Sequence, residues 1–131
     1  MHTELMFVGR VFYALALIGF AVYHFMYGSL LSALVPSYLP LKEGLVYFVG
    51  AIFLWSAVTL LVNRGVRHAL SVLSGVLLIF ILTIHLPNVL NGNGAMPFLL
   101  KDLALLGATV FMVGASFPHP KTYTEPNGEI H

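Results

Sequence analysis

Hydrophobic and polar positions alternate along this chain in long blocks, not at short period. Four apolar segments are separated by short polar breaks. The first runs from about Leu5 to Leu34; between Arg10 and Lys42 only His24 and the tyrosines carry an ionisable side chain. Pro36 and Pro40, in Val35-Pro36-Ser37-Tyr38-Leu39-Pro40, end it stiffly. The second segment, Gly44 to Val62, carries no charge and stops at Asn63-Arg64-Gly65-Val66-Arg67-His68. The third spans about Ala69 to Val89 and closes on Asn91-Gly92-Asn93-Gly94, the clearest turn signal in the chain. The fourth begins near Pro97, a favoured first helical position, and ends at Phe117-Pro118. A polar tail over 118–131 contains Pro120, Pro126 and Gly128.

Each apolar run approaches or exceeds the roughly 20 residues needed to cross a bilayer as a helix. None shows the period of two expected of barrel strands, and in lipid only helices or closed barrels satisfy the backbone. The pattern therefore predicts helices over about 5–34, 44–62, 69–89 and 97–117. With short connections these form an all-α, integral membrane, antiparallel four-transmembrane-helix bundle, one domain over 1–131.

Composition supports this reading. Of 131 residues, 59% are hydrophobic and 8% charged. The mean hydropathy is +0.92. Soluble domains carry roughly 25% charge. A net charge of +1 and the lack of a basic stripe exclude an electrostatic nucleic-acid binder. The absence of cysteine excludes thiol redox chemistry, iron–sulfur ligation and thiolate metal sites. The first apolar run is too long for a signal-peptide core and is expected to remain as a span. Arg10, Arg64, Arg67 and Lys121 fall at one end of the four spans, Lys42 and Lys101 at the other. The positive-inside rule then puts both termini in the cytoplasm. Tyr23, Tyr27, Tyr38 and Tyr47 fall near the opposite interface.

The candidate chemistry lies where imidazole, ammonium and carboxylate groups interrupt hydrocarbon. At about 1.5 Å per residue, His24 and His85 each sit roughly 25 Å from the cytoplasmic face. Lys101 and Asp102 lie one turn into the descending fourth helix, on the same outer side. His24, His85, Asn88, Lys101 and Asp102 are thus the candidate lining of an outer-half pocket for a small ligand. No catalytic residue or metal site is assigned. Helical spacing puts Arg10, Ala14, Leu17, Ala21, His24 and Gly28 on one stripe. It puts Ser71, Ser74, Leu78, Ile81 and His85 on another, and Lys101, Ala104, Ala108, Phe111 and Ala115 on a third. Small residues on such stripes favour close helix approach. Pro87 cannot donate to the carbonyl of Thr83, which predicts a kink beside His85. Plainer roles compete with the pocket: each histidine can bond a carbonyl, Lys101–Asp102 can anchor at the interface, Arg10 can snorkel inward, and Trp55 can simply pack.

The sequence resembles the DoxX-like family of small four-helix bacterial membrane proteins. The resemblance rests on Gly9-Arg10, Gly19-Phe20 followed by His24-Phe25, and Val35-Pro36-Ser37-Tyr38-Leu39-Pro40. It continues through Phe48-Val49-Gly50, His85-Leu86-Pro87-Asn88 and Leu100-Lys101-Asp102-Leu103-Ala104-Leu105-Leu106-Gly107, covering most of 7–117. It implies a multi-pass protein of the bacterial cytoplasmic (inner) membrane. Some relatives are described as quinone-reducing thiosulfate oxidoreductase subunits, others as partners of redox or detoxifying enzymes. Better-known members often carry a glutamate shortly after the glycine of the second helix; here Ala51-Ile52-Phe53-Leu54 follows Gly50.

Three functions follow as expectations. The first is an accessory subunit of a quinone-linked membrane redox system, with quinone as the one cofactor suggested. His24 or His85 would donate to a carbonyl oxygen, and Lys101 would stabilise negative charge. Its partners are the lipid bilayer and membrane or redox protein subunits that supply electrons, with no nucleic acid. The second is a non-enzymatic scaffold or assembly subunit of a larger membrane complex. The third is bis-histidine haem b ligation by His24 and His85.

Overall fold

The computed structural model describes residues 2–94 and 96–116. Every regular element among them is helical. α1 covers His2–Met26 and α2 Gly28–Ser32; α3 covers Lys42–Val62 and α4 Val66–Phe80. A π-helical turn occupies Ile81–His85, followed by α5 at Leu86–Leu90 and α6 at Met96–Ala115. Four stretches are long and apolar enough to cross a membrane: Thr3–Met26, Lys42–Val62, Val66–Leu90 and Met96–Ala115. The tail over 118–131, with Lys121 and the Phe117-Pro118 stop, lies outside the described residues.

Two of the expected helices are interrupted. The first breaks at Tyr27 (φ −119°, ψ 31°), although Tyr27 N–H still bonds Tyr23 O at 3.0 Å and Leu31 N–H bonds Tyr27 O at 2.9 Å. Gly28 is buried, and a Cβ there would run into the ring of Tyr47, so the bend depends on a side-chain-free position. The third changes its winding at Ile81–His85, where Leu86 N–H donates to Ile81 O five residues back. Pro87 follows at once and has no N–H for the next α-helical bond. One extra residue in the turn resolves the conflict, as π-bulges do.

α3 is the central element. It packs against α1 and against α4, and α4 packs against α6. Ile52, Phe53, Ser56, Ala57, Thr59 and Leu60 of α3 are buried. Gly50 lets α1 close on it: an added Cβ would lie 3.0 Å from His24 Cβ and 3.3 Å from Phe25 Cζ. Arg10 near the start of α1 meets Leu60 near the end of α3, and Gly28 meets Tyr47 near the start of α3. One end of the molecule therefore carries the turn at 63–65, hereafter the turn end. The other carries the connection over 33–41 and the turn at 91–94, hereafter the loop end. The turn end uses left-handed Asn63 (φ 54°) and Gly65 (φ 68°), residues that tolerate this conformation.

The α1 stripe faces the core: Ala14, Leu17, Ala21 and Gly28 are buried, with Arg10 and His24 half-buried. The stripes on the last two long helices are displaced by one position over much of their length, although Ile81 of the expected α4 stripe is buried and Ser74 and His85 are half-buried. On α4 the buried line is Leu70, Leu73 and Leu77, continued by Ile81, while Ser71 and Leu78 are exposed. On α6 the buried positions are Asp102 and Thr109, and Lys101, Ala104, Phe111 and Ala115 are exposed. Gly107 and Gly114 have nothing within 4 Å of an added Cβ, so these small residues do not bring helices together here. Bulk explains the shift: Leu73 and Leu77 fill the space facing α3 that serine side chains would leave empty.

Candidate functional site

The loop end gathers four of the five candidate residues. Asp102 organises them. It is 2% exposed, on a helix otherwise almost free of charge. It lies inward because it occupies the line that leads, seven residues on, to buried Thr109. Lys101 Nζ stands 3.1 Å from Asp102 Oδ1, its side chain 40% exposed. His85 Nε2 stands 2.9 Å from Asp102 Oδ2, its side chain 13% exposed. The geometry at Oδ2 falls short of an aligned hydrogen bond, so this contact is a close polar approach across two helices. The π-turn and Pro87 set the direction of His85, and Phe98 of α6 stacks on its ring with centroids 6.1 Å apart and planes 14° from parallel.

His24 forms the other side. Its Nδ1 lies 2.7 Å from Phe20 O. A carbonyl only accepts, so Nδ1 carries the proton, and neutral His24 keeps a lone pair on Nε2. The expectation that His24 donates to a ligand carbonyl is thereby corrected: in its neutral form it accepts. The ring packs on Phe53 with centroids 5.2 Å apart. Phe20 joins the two sides, for Lys101 Nζ sits 4.5 Å from its ring centroid, a cation–π contact between α6 and α1. The charges of Lys101 and Asp102 both act on His24 and on His85. The result is a set of polar groups walled by Phe20, Phe53 and Phe98.

Asn88 stands apart from this set. Its Oδ1 accepts from Asn93 Nδ2 at 3.2 Å, and its carbonyl accepts from Asn93 N–H at 3.0 Å. It closes the 91–94 turn.

Other polar contacts lie away from the loop end. Tyr13 OH donates to Leu105 O at 3.0 Å and contacts Thr109 Oγ1, bridging α1 and α6. Thr109 stands seven residues beyond Asp102, and that i, i+7 relation was the signal available for it. Arg10 was expected to snorkel to the cytoplasmic interface as an anchor. Instead it folds onto α3: Nη2 donates to Leu60 O, and Nε is buried without a partner. The last carbonyls of a helix have no partner within it, which gives Arg10 a natural target.

Among the described residues no group of three or more His, Cys, Asp or Glu side chains is placed to hold a metal. Comparison with family models, with curated proteins and with solved structures finds no match for this chain.

Proposed function

We propose that this chain is a DoxX-like integral membrane protein, an antiparallel four-helix bundle of the bacterial cytoplasmic membrane with both termini inside. In this reading it serves as an accessory subunit of a quinone-linked redox system. It holds a quinone head group at His24, His85, Lys101 and Asp102, with Asn88 at the rim.

The burial of Asp102 carries the reading. A carboxylate 2% exposed in an apolar helix, held between an ammonium and an imidazole, is costly in a membrane and marks a functional site by default. The chemistry suits a planar ligand that changes between acceptor and donor. Lys101 is the donor toward a carbonyl oxygen and stabilises negative charge on it. Neutral His24 offers its Nε2 lone pair to a quinol hydroxyl. Aromatic walls suit a flat ring. Reduction takes up two electrons and two protons per quinone; the protons pass through the His and Asp groups, and the electrons come from a redox partner protein. His85 turns Nε2 to Asp102, which suits a positioning role better than axial haem ligation.

The test is binding of a short-tailed quinone analogue to the purified protein in mild detergent, with extraction and mass spectrometry of any quinone that co-purifies. Lys101→Met removes one charge-assisted bond and should weaken binding about tenfold. No co-purified quinone together with no measurable analogue binding sinks the redox reading and favours a scaffold.

A further inference from the structure

α1 and α6 do not close on each other. Among the described residues no Cα of one comes within 8 Å of a Cα of the other. Two side-chain rungs cross the seam between them. Phe20 meets Lys101 at the loop end, and Tyr13 reaches Leu105 O and Thr109 Oγ1 nearer the turn end. At the turn end the seam widens into a cavity of about 980 Å³, within the range of small-molecule sites. The α6 line Lys101, Ala104, Ala108, Phe111 and Ala115 is exposed apart from half-buried Ala108. Its first residue meets Phe20 of α1, and Ala108, Phe111 and Ala115 line the cavity. The line therefore faces the seam over about 21 Å, at 1.5 Å per residue. On α1, Gly9, Tyr13 and Ala16 line the same cavity. A stripe whose spacing predicts a helix contact is in the fold one wall of an apolar groove, and the groove starts at the ammonium of the loop-end site.

We infer that the loop-end site takes a long-tailed quinone, and that the seam holds its isoprenoid tail against Ala104, Ala108 and Phe111, with the tail's end in the cavity. The assignment rests on the quinone reading of the loop-end site and extends it along the helices. Three observations name the occupant. The first is continuity: a tail on a head group held at Lys101 begins at the top of the groove. The second is depth. Packed helices lie about 8–10 Å apart axis to axis. Tyr13 and Phe20 already cross the seam, so a helix of a second copy enters only by breaking both rungs. A single hydrocarbon chain lies over them on the bilayer side. The third is shape. Gly9, Ala16, Ala104 and Ala108 leave room beside the aromatic rungs for a branched chain, and Phe111 and Met112 give it packing. Arg10, held by Leu60 O, bounds the groove at the turn end.

The experiment compares two quinone analogues that share a head group, one short-tailed and one long-tailed, on the purified full chain in mild detergent. Concentrations are referred to the detergent phase, so that partitioning of the tail cancels. The long-tailed analogue should bind about tenfold tighter, an effect that roughly ten carbon contacts supply. A diazirine at the end of the long tail should place its label on residues 9–16 and 108–116. Ala108→Phe fills the groove and should bring the long-tailed analogue to the affinity of the short-tailed one, with folding checked by circular dichroism. If that variant does not fold, the labelling of the wild-type chain decides. Three results overturn the tail groove and leave the head-group reading standing when the short-tailed analogue binds. They are equal affinity of the two analogues, label spread equally onto exposed Leu54, Trp55 and Val58 of α3, and label displaced from the seam by added phospholipid. Binding of neither analogue overturns both.

Discussion

The polar approach between His85 and Asp102 can be weighed by a double-mutant cycle of His85→Ala and Asp102→Asn. Interhelical hydrogen bonds in membrane bundles give coupling energies of about 0.6 kcal/mol on average and about 1.7 kcal/mol at most. Two features raise this pair above the mean: a carboxylate acceptor, which strengthens a hydrogen bond roughly twofold, and the 2.9 Å separation. The imperfect alignment at Oδ2 and the 13% exposure of His85 lower it. The expected coupling is about 1.2 kcal/mol, an eightfold effect on the unfolding equilibrium. Lys101 provides the internal control. It is adjacent to Asp102 on one helix, so its 3.1 Å contact survives when intact helices separate and contributes little to tertiary stability. Lys101→Met combined with His85→Ala should therefore couple more weakly than Asp102→Asn does. The assay is unfolding of purified protein in mixed micelles of rising dodecyl sulfate fraction, followed by far-UV circular dichroism. Coupling below about 0.4 kcal/mol, the scatter of independent sites, would refute the claim that His85 holds Asp102 across the helices.

Two further outcomes follow from the packing. Gly50→Val should separate α1 from α3 at His24, because even a Cβ there meets His24 Cβ at 3.0 Å. The expected destabilisation is about 1–3 kcal/mol, with loss of analogue binding beyond what a Gly50→Ala control shows. Tyr13→Phe removes the bridge from α1 to Leu105 and Thr109 and should lower stability by about 0.5–1.5 kcal/mol. It should also loosen the α1–α6 seam, read as faster amide exchange in the second half of α6. Unchanged exchange there would mean that the seam does not depend on Tyr13.

How much of this was legible beforehand differs from helix to helix. α1 was readable in detail: its small and apolar positions fall on one face, and Ala14, Leu17 and Ala21 are buried there. α6 was not. Ala104, Ala108, Phe111 and Ala115 form as regular a stripe as Asp102 and Thr109 do, and in a segment apolar all round, periodicity cannot choose between adjacent faces. The choice fell to Asp102, which lies between Lys101 and His85, and to Thr109, which faces Tyr13. Pro87 announced an irregularity beside His85, but its resolution as a π-turn depended on where His85 meets α6.

The sequence by itself determined the number of long apolar helices, their connections and the level at which His24, His85, Lys101 and Asp102 lie. Each of these follows from hydrophobicity and from 1.5 Å of rise per residue, both local properties. Only the tertiary structure decided which side of each helix faces its neighbour, which nitrogen of His24 is engaged by Phe20, that Arg10 turns onto Leu60, and that α1 and α6 leave a seam. Those depend on contacts between residues far apart in the chain. The stretch from Thr83 to Asp102, a polar interruption in the sequence, therefore becomes in the fold the hairpin that presents His85 to Asp102.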